Sequence, residues 1–275
     1  MTAHGGPFGP HPQPSIPDVP TMTASIQSAS VEYRLVHGTR PGTVVVFHGG
    51  HLLAGLPLSE TALTAAGYTV LVPSRPGYGR TPLTAGPDPA DFASTTADLC
   101  HQLGLADILA VVGVSAGGPT AVAMAALFPG QVRTLVLHSA RSSLPFPDGA
   151  ARLAAPVAFN PRLEAASWTA TRKLMRHRPN IGLRLMMASL TTLPARKVVD
   201  DLTTTEQNLL AATFAQMRSG AGFLNDVRQH TDPALEHRVT QPALVVASRV
   251  DGQVRWKHAE QLARTIPHAT GVPPV

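Results

Sequence analysis

The chain has 275 residues, 44% apolar and 14% charged, a balance that excludes a wholly disordered protein and supplies the side chains for a sizeable core. The 22 Lys and Arg against 17 Asp and Glu give a net charge of +5, spread along the chain without the signature of a nucleic-acid-binding module. No apolar run reaches the roughly 18 to 20 residues of a membrane span, and with Cys100 as the sole cysteine no intramolecular disulfide can form, so a reducing, cytoplasmic setting is expected.

Residues 1–22 begin MTAHGGPFGPHPQPSIPDVP, dense in Pro, Gly and His and without the apolar stretch of a secretory signal. They read as a flexible leader to a domain spanning 23–275. Residues 25–36 predict one or two antiparallel strands. Residues 44–47, VVVF, are short, β-branched and glycine-bounded, as a strand buried on both faces should be. A helix over 58–66 closed by Gly67, a strand over 68–72, a helix over 88–103 and a buried strand over 108–114 follow. Next come a helix of small residues over 117–128, stopped by Pro129-Gly130, and a strand over 133–138. This alternation predicts an α/β fold with a mostly parallel twisted sheet covered by helices on both faces. Between about 142 and 230 the pattern changes to Arg, Ala, Leu and Met at helical spacing, which predicts a helical insertion. A strand over 243–248 and a helix over 256–265 then resume the first pattern.

One motif carries chemistry. Gly113-Val114-Ser115-Ala116-Gly117 matches G-x-S-x-G between a predicted strand and a predicted helix, the setting of a nucleophile elbow. The tight turn lifts the serine hydroxyl above the sheet at a helix N-terminus, where backbone N–H groups receive a developing oxyanion.

With three further matches in order, the chain resembles the α/β-hydrolase superfamily of esterases, lipases and peptidase-like serine hydrolases over residues 25–268. These are His48-Gly49-Gly50 after one strand, Arg75-Pro76-Gly77-Tyr78-Gly79-Arg80-Thr81 after the next, and Asp251 after a late strand. The resemblance implies the α/β-hydrolase fold with a helical lid over about 142–230. It implies cleavage of an ester or related acyl bond of a small, partly apolar substrate through an acyl-serine intermediate, with no cofactor and no metal. Ser115 is then the nucleophile, Asp251 the acid that orients the base, and the N–H groups of Gly50 and Ala116 the oxyanion hole. Asp148 is a poorer alternative acid, and Asp226 and Asp232 read as surface residues. The Arg75 segment, in which Ser74 and Thr81 replace the usual outer Asp and Ser, reads as structural, and His48 as ordering its loop.

The resemblance also implies a histidine base one helix and one strand after the acid. The sequence past the last predicted helix is IPHATGVPPV, whose prolines oppose a strand, so the last strand and the histidine are expected past residue 275. His258 reads as an exposed helix-face residue and His268 as part of a turn at the far end of the sheet, neither reaching Ser115. His51 and His138 follow strands flanking that of the nucleophile and have no family role. The strand at Ala243 would then be an exposed edge, favouring instability or a homo-oligomer. The second function class is accordingly a non-catalytic or truncated member of the fold that binds a small ligand or a partner. In the insertion, Trp168, Leu174, Met175, Ile181, Leu183, Leu185, Met186, Met187, Phe214 and Phe223 are candidates for an apolar acyl pocket. The basic run over 172–178 reads as a solvated helix face; its functional alternatives are a nucleic-acid phosphate or anionic membrane surface, a third function class resting on this run alone, and an anionic leaving group.

Overall fold

A computed structural model describes residues 19–58, 60–147 and 160–271. Its sheet has eight strands: β1 (Met22–Ile26), β2 (Ala29–Val36), β3 (Thr43–Phe47), β4 (Thr69–Pro73), β5 (Ile108–Val114), β6 (Leu135–His138), β7 (Ala243–Val246) and β8 (Ala269–Gly271). They lie in the order β1-β2-β4-β3-β5-β6-β7-β8. β2 runs antiparallel to β1 and β4, and every other neighbouring pair is parallel.

The VVVF run gives β3 its central place because both faces of the sheet are apolar there. Val45 and Phe47 join a core with Phe92 and Leu99 of helix α2 (Pro89–Gln102) and with α3 (Gly118–Leu127). Val44 and Val46 point the other way, with Val70, Val72 and Leu63 of α1 (Thr61–Ala65). The small side chains of α3 let it lie against the strands, and the helix is buried almost throughout.

Between β6 and β7 the described elements are all helical: α4 (Pro161–His177), α5 (Pro179–Leu190), α6 (Ala195–Asp201), α7 (Thr204–Gln216), α8 (Gly222–Arg228) and α9 (Pro233–His237). Met175, Leu183, Val199, Ala211 and Phe214 form a second, smaller core there. A reciprocal capping box between Thr203 and Glu206 starts α7. The alternative acid Asp148 lies outside the described residues.

Two sequence expectations change at the ends. Most of the leader lies outside the described residues; Val19 already donates to Gly55 O, and Met22 begins β1. At the other end a last strand does form. After α10 (Trp256–Thr265), β8 pairs parallel with β7 from Ala243↔Ala269 to Val245↔Gly271. β8 is only three residues long and lies in sequence between Pro267 and Pro273, so neither proline falls within its ladder. β7 is therefore an interior strand, not an exposed edge. No helix among the described residues is long and apolar enough to cross a membrane.

Candidate active site

Ser115 follows the last residue of β5 and has φ +50°, a left-handed backbone that a non-glycine residue adopts only where its surroundings impose it. The flanking glycines permit this by close approach. A Cβ on Gly113 would stand 2.7 Å from Ala121 Cβ, and one on Gly117 only 2.2 Å from Phe47 O. Strand, turn and helix thus meet more closely than any side chain allows, and the serine is driven to the C-terminal edge of the sheet.

A cavity of about 590 Å³ opens there, and its wall includes Gly50, Ser115, Ala116 and Asp251. The four residues expected to carry the chemistry, from three separate loops, are thus brought to one space. Asp251 follows β7; its Oδ1 accepts from the backbone N–H groups of Gln253 (2.8 Å) and Val254 (2.9 Å). Its loop is stitched to the end of α5, Thr192 N donating to Val250 O and Gly252 N to Leu190 O.

The rest of the wall comes largely from the inserted helices. Trp168, Met186, Phe214 and Phe223 line the cavity, as expected of them. Met175 and Leu183 instead fill the small helical core, and Ile181 and Leu185 are exposed. Glu164, Ser167 and Thr171 share one face of α4 with Trp168 and add polar groups. No Lys or Arg is among the described lining residues, so the basic run over 172–178 supplies no anion site here.

The loop carrying Gly50 is anchored from behind. His48 is buried with Nε2 3.5 Å from Glu60 Oε1, a carboxylate that also takes the Arg34 guanidinium and the Leu58 N–H. Burial alone would push the Glu60 carboxyl up; the His48 ring and the Arg34 charge more than offset this and hold it at about 2. Arg75 Nε donates to His48 O at 2.8 Å. Asp226, expected at the surface, is fully buried and takes both terminal nitrogens of Arg75 at 2.5 and 2.8 Å and the Tyr78 hydroxyl at 2.6 Å. The pattern that hid it is a carboxylate on a seven-residue helix, with its cation 151 positions upstream. Ser74 and Thr81 are structural as expected: Ser74 Oγ donates to Glu32 Oε2, and Thr81 Oγ1 accepts from Glu32 N.

The histidines divide. His51, φ +65°, lines the cavity, stacks on Phe223 at 4.3 Å and has Nδ1 2.8 Å from Ser219 Oγ. Burial lowers it to about 4, so the ring is neutral at neutral pH. His258, expected to be exposed, is buried against Ser142. His268 is exposed, and its carbonyl accepts from Ala243 N at the start of β7, the edge of the sheet opposite Ser115. His138 is exposed at the end of β6. Among the described residues no histidine is hydrogen-bonded to Ser115.

The fold agrees with the comparisons to known proteins. The family model for the alpha/beta hydrolase fold matches residues 35–274. The uncharacterized hydrolase YcgS of Bacillus subtilis (strain 168) is 30% identical over 241 residues, 86% of this chain and 84% of that protein. An alpha/beta hydrolase fold protein from Nakamurella multipartita superposes with a TM-score of 0.74 at 28% identity, covering 92% of this chain and 89% of the other. The esterase RhEst1 from Rhodococcus sp. ECU1013, at 18% identity, shares the fold with a TM-score of 0.66 over 93% of this chain and 89% of its own. The chain belongs to the α/β-hydrolase fold family.

Proposed function

We propose that the protein is a serine hydrolase that cleaves an ester or related acyl bond of a small, partly apolar cytoplasmic substrate. The observation that carries this reading is Ser115, held at φ +50° on the wall of a cavity of about 590 Å³ beside Gly50, Ala116 and Asp251. The Ser115 oxygen attacks the acyl carbon, the N–H groups of Gly50 and Ala116 receive the charge that develops on the carbonyl oxygen, and collapse of that adduct breaks the bond to the alcohol, which leaves with the proton the serine gave up. Water then releases the acyl group from the serine. Trp168, Met186, Phe214 and Phe223 give the acyl portion an apolar surface, and the inserted helices act as a lid over it. In the family pattern the serine proton goes to a histidine that the acid, here Asp251, orients and that follows the last strand; residues 269–275 contain no histidine.

A second reading, a family member that binds a small ligand without turning it over, is favoured by one observation. Among the described residues, Ser115 has no histidine partner. Intact-mass detection of fluorophosphonate labelling decides between the two, with Ser115→Ala as control. The hydrolase reading requires one adduct on the wild-type chain and none on Ser115→Ala; folded wild-type protein that stays unlabelled overturns it.

A further inference from the structure

We infer that Asp226 is the positioning residue of the oxyanion loop, its single carboxylate holding the two side chains that fix this loop at His48 and at Gly50; this rests on the hydrolase reading above. At the first point, Arg75 Nε donates to His48 O at 2.8 Å. At the second point, the Tyr78 phenol oxygen stands against Gly50 itself, 3.7 Å from where a Cβ on that residue would lie. Arg75 and Tyr78 then converge on one group. The Arg75 guanidinium donates to both Asp226 oxygens, at 2.5 and 2.8 Å, and the Tyr78 hydroxyl donates to Oδ2 at 2.6 Å. Burial and the adjoining carboxylate push the Tyr78 phenol well above its usual range, so this arrangement persists at any ordinary pH.

None of the three side chains exceeds 2% exposure, so water does not compete for their hydrogen bonds. The bidentate pair fixes the guanidinium in plane as well as in distance. Asp226 also fixes the loop from the side, because Phe223, one turn earlier on α8, has its ring edge 3.1 Å from where a Gly50 Cβ would lie. Asp226 does not line the cavity and needs no contact with substrate. It acts by placing one N–H donor, and an oxyanion hole tolerates displacement of roughly 0.5 Å before its donors miss the developing charge.

The test compares wild-type protein with Asp226→Asn and Tyr78→Phe on 4-nitrophenyl butyrate, with active sites counted by fluorophosphonate labelling. A matched pair of ketone inhibitors completes it: a trifluoromethyl ketone, which adds the serine oxygen to its carbonyl carbon and leaves an oxyanion, and the corresponding methyl ketone, which stays unreacted. Asp226→Asn is expected to lower kcat per labelled site by roughly 30- to 100-fold with KM changed less than about threefold. It should narrow the preference for the trifluoromethyl ketone by the same factor, while methyl ketone binding holds. Tyr78→Phe, which keeps the Arg75–Asp226 pair and so folds even where Asp226→Asn does not, is expected to move both readouts the same way by roughly 3- to 10-fold. If the folded variants keep wild-type kcat and inhibitor preference and lose only thermal stability, Asp226 is a structural ion pair and the inference falls while the hydrolase reading stands. If wild-type protein neither labels nor prefers the trifluoromethyl ketone, the hydrolase reading itself falls and takes this inference with it.

Discussion

His258 Nδ1 lies 2.9 Å from the hydroxyl oxygen of Ser142 and 3.2 Å from its backbone nitrogen, so the first histidine after Asp251 closes a buried turn and does not serve Ser115. The Ser142 N–H donates to Nδ1, which must therefore carry no proton, and Ser142 Oγ is in turn the acceptor of Leu144 N. His258→Ala leaves a buried N–H without its partner and opens a void, a loss of about 2 to 4 kcal/mol. Urea denaturation should show that loss, while the folded variant still takes one fluorophosphonate at Ser115. Unchanged stability with labelling abolished would instead make His258 the base.

The elbow is sterically full. Gly117→Ala puts a methyl group 2.2 Å from the Phe47 carbonyl oxygen, a backbone atom of a central strand that cannot step aside. Such overpacking costs about 1 to 3 kcal/mol or more, and relief requires the turn to move away from β3. Thermal melts should fall, and the labelling rate of the folded fraction should fall with them, because Ser115 rides on the same turn.

Acid should loosen the anchor of the loop that carries Gly50. Glu60 is held at about 2 against an ordinary 4.5, so the folded state binds its proton less readily than the unfolded state does. A depressed carboxyl contributes stability that is complete above about pH 4.5 and is lost as the pH falls toward 2; here it amounts to about 3 kcal/mol. Glu60→Gln is expected to lower stability at pH 7 and to flatten its pH dependence between those limits. Parallel wild-type and variant curves across that window would mean the carboxylate is not held as described.

Phe214 belongs to both the cavity wall and the small core of the inserted helices. Phe214→Ala should cost about 3 to 5 kcal/mol and enlarge the acyl site. On the proposed function, kcat/KM across 4-nitrophenyl esters from acetate to decanoate should shift its maximum to longer chains. An unchanged profile would place the acyl chain elsewhere.

Cys100, on α2, is buried in the core, and burial pushes its thiol up to about 12. It should ignore a maleimide at neutral pH in the folded protein and react in full after denaturation, as read by mass.

What was legible in the sequence was what local pattern encodes. The valine run of β3, the small residues of α3 and the glycines around Ser115 each state their own surroundings, since burial on two faces and close backbone approach leave a mark on neighbouring residues. Gly50 and Asp251 were legible through their places after strands. Asp226 was not, because a charged residue on a short helix looks solvated until Arg75 and Tyr78 are folded against it. His258 was misjudged for the same reason: its partner Ser142 is 116 residues away and on another element. At the far end, prolines on either side of residues 269–271 oppose a strand in the sequence pattern, yet β8 is short enough to lie between them.

The loop beneath Gly50 is closed by contacts that span the chain: Arg75 to Asp226 across 151 residues and His51 to Ser219 across 168. Neighbouring strands from β3 to β6 can pair long before either closure is made, and closures of such length come late in folding. Refolding should therefore restore the far-ultraviolet signal of the sheet before Ser115 can be labelled. On the proposed function, the same delay during synthesis leaves a half-made chain with its serine and the Ala116 N–H on the elbow while the second donor, Gly50, is still unheld.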